Sequence, residues 1–398
     1  MSKAVKFEQP MKTEPSPAVT FAAVVALAVV STVTFAVLPN LVKGAQQSLH
    51  FSASDIGILA AMINAGGALG SVIAKYWVRR LEWRQATRIA LAGLVGGNAL
   101  SILFHEPVAF VGLQFVAGFF SGSLLSLTLT ILSDRDEPDR DFGILIAGQV
   151  ALQAAGLFAG PYLLHLGGVD AILGAFVLLT AGCFCLVGRL PASGRDVQAA
   201  ADSKSLWRPG TVLALLGASL FMLSAGCYWT YIALIGQDAG FDEAQVARTL
   251  VVGVAAGFMG AMTSVWIGSR LPRNAMLVLG MLMIAASISL LLGHISLFNL
   301  VASWCLLNFS WNFSAAFQFA SISSVDSSGR AVALAPAFQS AGASVGPAIA
   351  ALFVAPHVYG SVMWLVVGGA VLSVMCFILA ARFNPRLPLP AANAAQQA

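Results

Sequence analysis

Long apolar runs broken by short polar punctuation make up most of this chain. A stretch of ~20 mostly apolar residues is the length that crosses a bilayer core. Twelve such runs are present, near residues 18–42, 55–77, 87–104, 108–132, 142–166, 170–189, 210–236, 246–269, 275–293, 297–323, 331–354 and 360–382. Each is predicted to be a membrane-spanning helix. The third and ninth are short, which leaves eleven passes as the alternative count. A polar tail at 1–17 precedes the first run, and a second tail at 383–398 follows the last. The first run is too long for the apolar core of a signal peptide, so it is expected to be retained.

Inside the runs, one polar phrase occurs twice. Gln153-Ala-Ala-Gly156-Leu-Phe-Ala-Gly160-Pro161 and Gln339-Ser-Ala-Gly342-Ala-Ser-Val-Gly346-Pro347 both read Q-x-x-G-x-x-x-G-P, 186 positions apart. Gly66 and Gly70 in the second run correspond to Gly253 and Gly257 in the eighth. Gly143 before the fifth corresponds to Gly329 before the eleventh. Small residues let membrane helices approach closely, and neighbours satisfy the backbone that proline frees. The chain therefore reads as a duplication: a six-span half at 18–189, a polar linker at 190–209, and a second half at 210–382.

Charge orients the spans. The composition is 58% hydrophobic and 10% charged, with mean hydropathy +0.85, against about 25% charged residues in soluble proteins. With both termini cytoplasmic, 19 of the 21 basic residues fall on the inner side, leaving Lys43 and Arg248 outside. That asymmetry is the positive-inside rule, and it predicts a multi-pass protein of a bacterial-type inner membrane. The net charge of +4 comes from these loops and gives no reason to invoke nucleic acid.

Two six-span halves with a cytoplasmic linker resemble the major facilitator superfamily over residues 18–382. The phrase ending Gly160-Pro161 resembles the family's fifth-helix motif, best known from drug antiporters. Gly70-Ser-Val-Ile-Ala74-Lys75-Tyr-Trp-Val-Arg79-Arg80 stands where the family has its basic loop motif. The resemblance implies an all-α membrane fold of two pseudo-symmetric six-helix bundles around a central cavity, with alternating access by rocking. It also departs in detail. Ala74 stands nearest the loop motif's Asp, Gln114 stands where the fourth helix often carries Arg, and Leu164-His165 replace a closing glycine pair. A proton-coupling role at Gln114 does not carry over.

Polar residues in mid-span are costly and are functional candidates by default. Asn308, Trp311 and Asn312 share one helical face near the middle of the tenth run. Tyr228, Trp229 and Tyr231 crowd one turn of the seventh. Gln149 and Gln153 in the fifth run, Gln339 in the eleventh, Asn64 in the second and Gln114 in the fourth complete the candidate solute-binding set. Each has a plainer alternative: amides and glycines also glue helices together, and aromatics also form interfacial belts. Asp55 and then His165 are the candidates for coupling to protons, with a helix-capping role as the alternative for Asp55. Arg79, Arg80, Arg140, Asp326 and Arg330 are candidates for an inner gate, in which the mixed-charge stretch 134–141 and the Asp326–Arg330 pair form ion-pair latches, with solvated loops as the alternative.

Amides and aromatics without a mid-span charge suit a small, neutral or weakly charged organic solute. The expected function is secondary transport of such a solute, with export favoured by the Gly-Pro phrase. The alternatives are uptake of sugars or aromatic compounds, or a non-transporting sensor or assembly protein on the same fold. No phosphate-binding loop, zinc motif or nucleophile–base spacing points to an enzyme. The five cysteines, all within spans, read as packing residues. No cofactor or metal is expected, and the partners expected are the bilayer and the solute, with the chain as a monomer.

Overall fold

A computed structural model describes residues 16–193, 207–326, 328–353 and 359–383. The two terminal tails and most of the linker thus lie outside the described residues. Helices are the only regular structure among them. The first pass, α1, is built of three pieces, Pro17–Ser31, Val33–Ala36 and Leu38–Leu49. Then come α2 (Ala53–Trp77), α3 (Trp83–Leu103) and α4 (Pro107–Ser133). A continuous run, Pro138–Gly182, holds two passes, α5 and α6, which reverse at Gly167 and Gly168. Gly168 has φ +62, where a side chain would be strained. A 3-10 turn, Cys183–Arg189, closes the first half. The second half has α7 (Pro209–Asp238), α8 (Glu243–Ile267), α9 (Arg273–Ser289), α10 (Leu297–Val325), α11 (Arg330–Phe353) and α12 (Gly360–Arg382).

The count is therefore twelve passes. Seven helices among the described residues are long and apolar enough to cross a membrane by length and composition, one of them the double pass Pro138–Arg189. Two of the others, α1 and α9, fall short for visible reasons. Non-helical backbone at Thr32 and Val37 divides α1. Pro39 helps cause the second break, because it has no N–H to give to the preceding turn. The ninth pass, at 17 residues, is a short helix.

Glycine stripes set the packing within each half. On α2, a methyl group at Gly66 or Gly70 would run into the α4 backbone at Phe115 and Phe119. The equivalent glycines on α8, Gly253 and Gly257, receive α10, but through side chains: Trp304 and Asn308 lie over Gly253, and Asn312 over Gly257. The doubled phrase works the same way. Gly156 and Gly160 on α5 take Val37 and Asn40 of α1, while Gly342 and Gly346 on α11 take the α7 backbone at Ser219 and Leu223. Asn40 Nδ2 also donates to the Gly156 carbonyl oxygen at 3.0 Å, five residues before Pro161.

Among the described residues, the two halves share a core at one end. Residues of both halves share a hydrophobic core at the end carrying Arg79, Arg135 and Arg273, here the basic end; Leu124, Leu127 and Phe142 pack there with Phe317, Ala331 and Leu334. At the opposite end each half has its own core. One gathers Leu41, Phe51, Phe110 and Phe176, the other Tyr231, Ile235, Leu300 and Val362. The principal contacts across the halves are α2 with α11, α4 with α11, α5 with α8 and α5 with α10. A two-fold exchange of the halves swaps α2–α11 with α8–α5. The molecule is closed at the basic end and parted at the far end.

Candidate functional site

The floor of the parting is the shared core, where the Phe142 and Phe319 rings lie 5.6 Å apart. Gln149 stands seven residues beyond Phe142 on α5, and Asn312 seven residues beyond Phe319 on α10. At 1.5 Å per residue, both are ~10 Å above the floor on adjoining walls, since α5 packs against α10.

On the second half, α7 and α10 build an aromatic wall. Its hub is Trp304, a residue the sequence reading passed over. Tyr228 stacks on Trp304 at 5.9 Å and Trp229 leans on it at 5.1 Å, while Trp229 meets Trp311 edge-on at 6.4 Å. Trp304 is itself fully buried, and its indole donates to the Leu250 carbonyl oxygen at 3.2 Å. A visible signal was its spacing: Trp304, Asn308 and Trp311 recur at i, i+4 and i+7 on one helical stripe.

The aromatics named from sequence separate by burial. Trp229 is 45% exposed and Trp311 half-buried, so these two present ring surface. Tyr228 is buried, with its hydroxyl against Ser303 Oγ, and Tyr231 is buried beside Tyr359. Both tyrosines lie inside the second half's own core. Asn308 and Asn312 turn toward the α8 glycines, and each donates to the carbonyl four residues back, Trp304 and Asn308 respectively, at 2.9 Å. Asn308 is buried, while Asn312 keeps partial exposure.

Gln149, Gln153 and Gln339 are half-buried, and none bonds to another described residue. Amides left this way in a membrane protein retain donors and acceptors for water or a solute. Asn64 is half-buried and donates to the Ala60 carbonyl of its own helix at 2.9 Å. Gln114 goes elsewhere. It is fully buried between α3 and α4, donating to Asn98 Oδ1 at 3.3 Å and Ser101 Oγ at 3.0 Å, with its own carbonyl oxygen unpartnered.

The proton-coupling candidates lie at the far end. Asp55 is the third residue of α2 and completes a capping box with Ser52: each accepts from the other's backbone N–H, at 3.0 and 3.2 Å. The cap itself is Ser52. His165 is exposed at the end of α5.

The basic end is latched by polar contacts between the halves. Arg79, just past the end of α2 and 8% exposed, grips Asp134 with two bonds of 2.6 Å and donates through Nε to the Ser328 carbonyl oxygen at 2.6 Å. Thr130 donates to the Gly329 oxygen at 3.2 Å, and Ser126 to the Ala333 oxygen at 2.7 Å. Gly329 has φ +71 and lies against Arg79 and Thr130, where a side chain would have no room. On the other side of the pseudo-two-fold, Asp139 and Arg273 pair across the halves at 2.7 and 2.8 Å, and Gly143 presses against Ser264 and Val265. Of the gate residues expected from sequence, Arg79 holds this position. Arg80 is exposed, Arg140 pairs locally with Glu137 at 3.3 Å, and Asp326 caps α11 by accepting from the Ala331 and Ser328 backbones. Arg330 is half-buried in the first turn of α11.

Residues 20–328 match the model of the Major Facilitator Superfamily, well over half of the chain. Solved structures share the fold at low identity. A bacterial homologue of the iron transporter ferroportin, in an outward-facing state, has 12% identity and TM-score 0.71, over 91% of this chain and 99% of that one. The transporter FucP in its outward conformation has 15% identity and TM-score 0.73, over 92% and 99%. The proton:xylose symporter XylE bound to 6-bromo-6-deoxy-D-glucose has 12% identity and TM-score 0.74, over 93% and 97%. No curated protein sequence matches significantly.

Proposed function

Because the chain belongs to the major facilitator superfamily, we propose that it is an alternating-access carrier for a small, neutral or weakly charged organic solute. The observation that carries this reading is the pairing of one shared core with two separate ones, beneath walls bearing exposed Trp229 and three unpartnered glutamines. Solute enters from the parted end and rests on the Trp229–Trp311 edge. Gln149 and Gln153 from one half and Gln339 from the other supply hydrogen bonds. A ligand held by both halves favours the state in which they close around it, which is how differential affinity drives rocking.

The positive-inside rule puts the basic end in the cytoplasm, so the state described here opens outward, across the inner membrane. Export is the favoured direction, on the Gln153–Pro161 phrase with its drug-antiporter likeness. Uptake of a sugar-like solute is the second reading, favoured by the combination of indole faces and amides, which suits a C–H face ringed by hydroxyls. Flux into and out of proteoliposomes, with and without a pH gradient, tests the proposal against a panel of sugars and aromatic solutes. Saturable flux that falls on Trp229→Ala is expected. A ligand that binds but never crosses would overturn transport in favour of a sensor.

A further inference from the structure

A second polar site lies inside the second half, where α10 faces α9 and α12. Hydroxyls and one amide recur down this face of α10. Ser303 donates to the Ser287 carbonyl oxygen at 2.6 Å, and Ser310 to the Gly280 oxygen at 2.7 Å. Carbonyls of α9 thus match the far-end part of the seam. Toward the basic end the match stops. Ser314 and Gln318 follow at one-turn intervals, each 1% exposed, yet neither Ser314 Oγ nor Gln318 Oε1 has a partner. The α9 side chains beside them, Leu277 and Met281, are apolar.

Both orphan atoms belong to residues lining the same small cavity, and Ser373 of α12 lines it too. Ser373 Oγ donates to the Gly217 carbonyl oxygen at 2.7 Å, so its lone pairs remain free to accept. A buried polar atom without a partner is costly, and a membrane-spanning bundle offers few substitutes. Two such atoms beside a third oxygen make the polar surround that buried waters occupy, each water making ~3 hydrogen bonds. The room available suits a single molecule.

We propose that this cavity is a binding site for one ordered water. It donates to Gln318 Oε1 and Ser373 Oγ and accepts from the Ser314 hydroxyl. The site is distinct from the solute walls, because its lining comes from α7, α9, α10 and α12 and includes none of Trp229, Trp311 or the three glutamines. Its effect is to tie α10 to α12 at the level where α10 also packs against the opposite half.

A map of the purified full chain that resolves ordered waters tests this directly. Density is expected within hydrogen-bond reach of all three oxygens, and it should disappear in Gln318→Leu. Pressurising wild-type crystals with xenon gives an independent reading, since dry apolar cavities take up xenon; none should bind here. Xenon in the cavity, no density there, or Gln318 bonded directly to Ser314 or Ser373 would each overturn the proposal.

Discussion

Asp139 at the start of α5 and Arg273 at the start of α9 form a two-pronged ion pair across the halves, with Nε–Oδ1 at 2.8 Å and Nη2–Oδ2 at 2.7 Å. The Asp139 side chain is 7% exposed and the Arg273 side chain 28%. Breaking a buried pair costs ~3–5 kcal/mol, and partial exposure of Arg273 reduces that to about 1–3. Asp139→Asn should therefore shift the balance toward opening at the basic end by about five- to 150-fold. Spin labels on Arg80→Cys and Arg270→Cys, in a background without native cysteines, would report it as a longer distance population. An unchanged distribution would show that the apolar core alone holds this end shut.

Gly342 and Gly174 make a contrasting pair. A methyl group at Gly342 would overlap the Ser219 carbonyl oxygen, whereas nothing lies within 4 Å of one at Gly174. Overpacking costs ~1–3 kcal/mol, while glycine-to-alanine in a helix gains up to ~1. Gly342→Ala should lower the detergent Tm and Gly174→Ala should hold or raise it. Equal shifts would mean that α11 can draw back from α7.

Trp229 and Trp304 touch but should fail differently. Trp229→Ala removes an exposed face, so solute affinity should drop about five- to 150-fold, the ~1–3 kcal/mol scale of an aromatic stacking contact, with the Tm little changed. Trp304→Ala opens the second half's core at a cost of ~3–5 kcal/mol. Binding isotherms and thermal unfolding, measured together, separate the two roles.

Gln114 bonds into α3 rather than into the cavity. Gln114→Leu should leave solute affinity unchanged. Gln114→Arg should destabilise, because it buries a charge with no acidic partner in that network. A binding defect in Gln114→Leu with intact folding would move this residue to the solute path.

Tyr359, at the far end, donates to the Asp238 carboxylate. Desolvation first, then that bond and the nearby charge, push its hydroxyl up to about 12 from 10.0. A raised folded value means its contribution is complete below the unfolded value and is lost as pH climbs through the folded one. Ultraviolet difference titration of wild type against Tyr359→Phe, which cancels the signal of the other four tyrosines, should show one tyrosinate forming only near pH 12. A difference signal near pH 10 would show the bond broken in solution.

Several residues of the candidate site were legible, and others were not, for a geometric reason. Trp229, Trp311, Gln153 and Gln339 were visible as polar or aromatic residues in apolar runs, and the structure gives them partial exposure. Tyr228 is adjacent to Trp229 in the chain, yet successive helical residues point ~100° apart, and Tyr228 faces the interior. The Asp139–Arg273 latch joins residues 134 positions apart. Spacing along a chain carries no sign of such a partner.

By itself, the sequence determined that this protein is a duplicated bundle of twelve apolar helices with its basic residues gathered at one end. The bilayer enforces that, since any crossing backbone must bond to itself over ~20 apolar residues. Only the tertiary structure decided which end is shut, which amides remain unpartnered and which arginines bridge the halves. Those outcomes depend on how each helix is rotated and what lies opposite, and glycine stripes such as Gly156–Gly160 and Gly342–Gly346 set that rotation by admitting a neighbour on one side only.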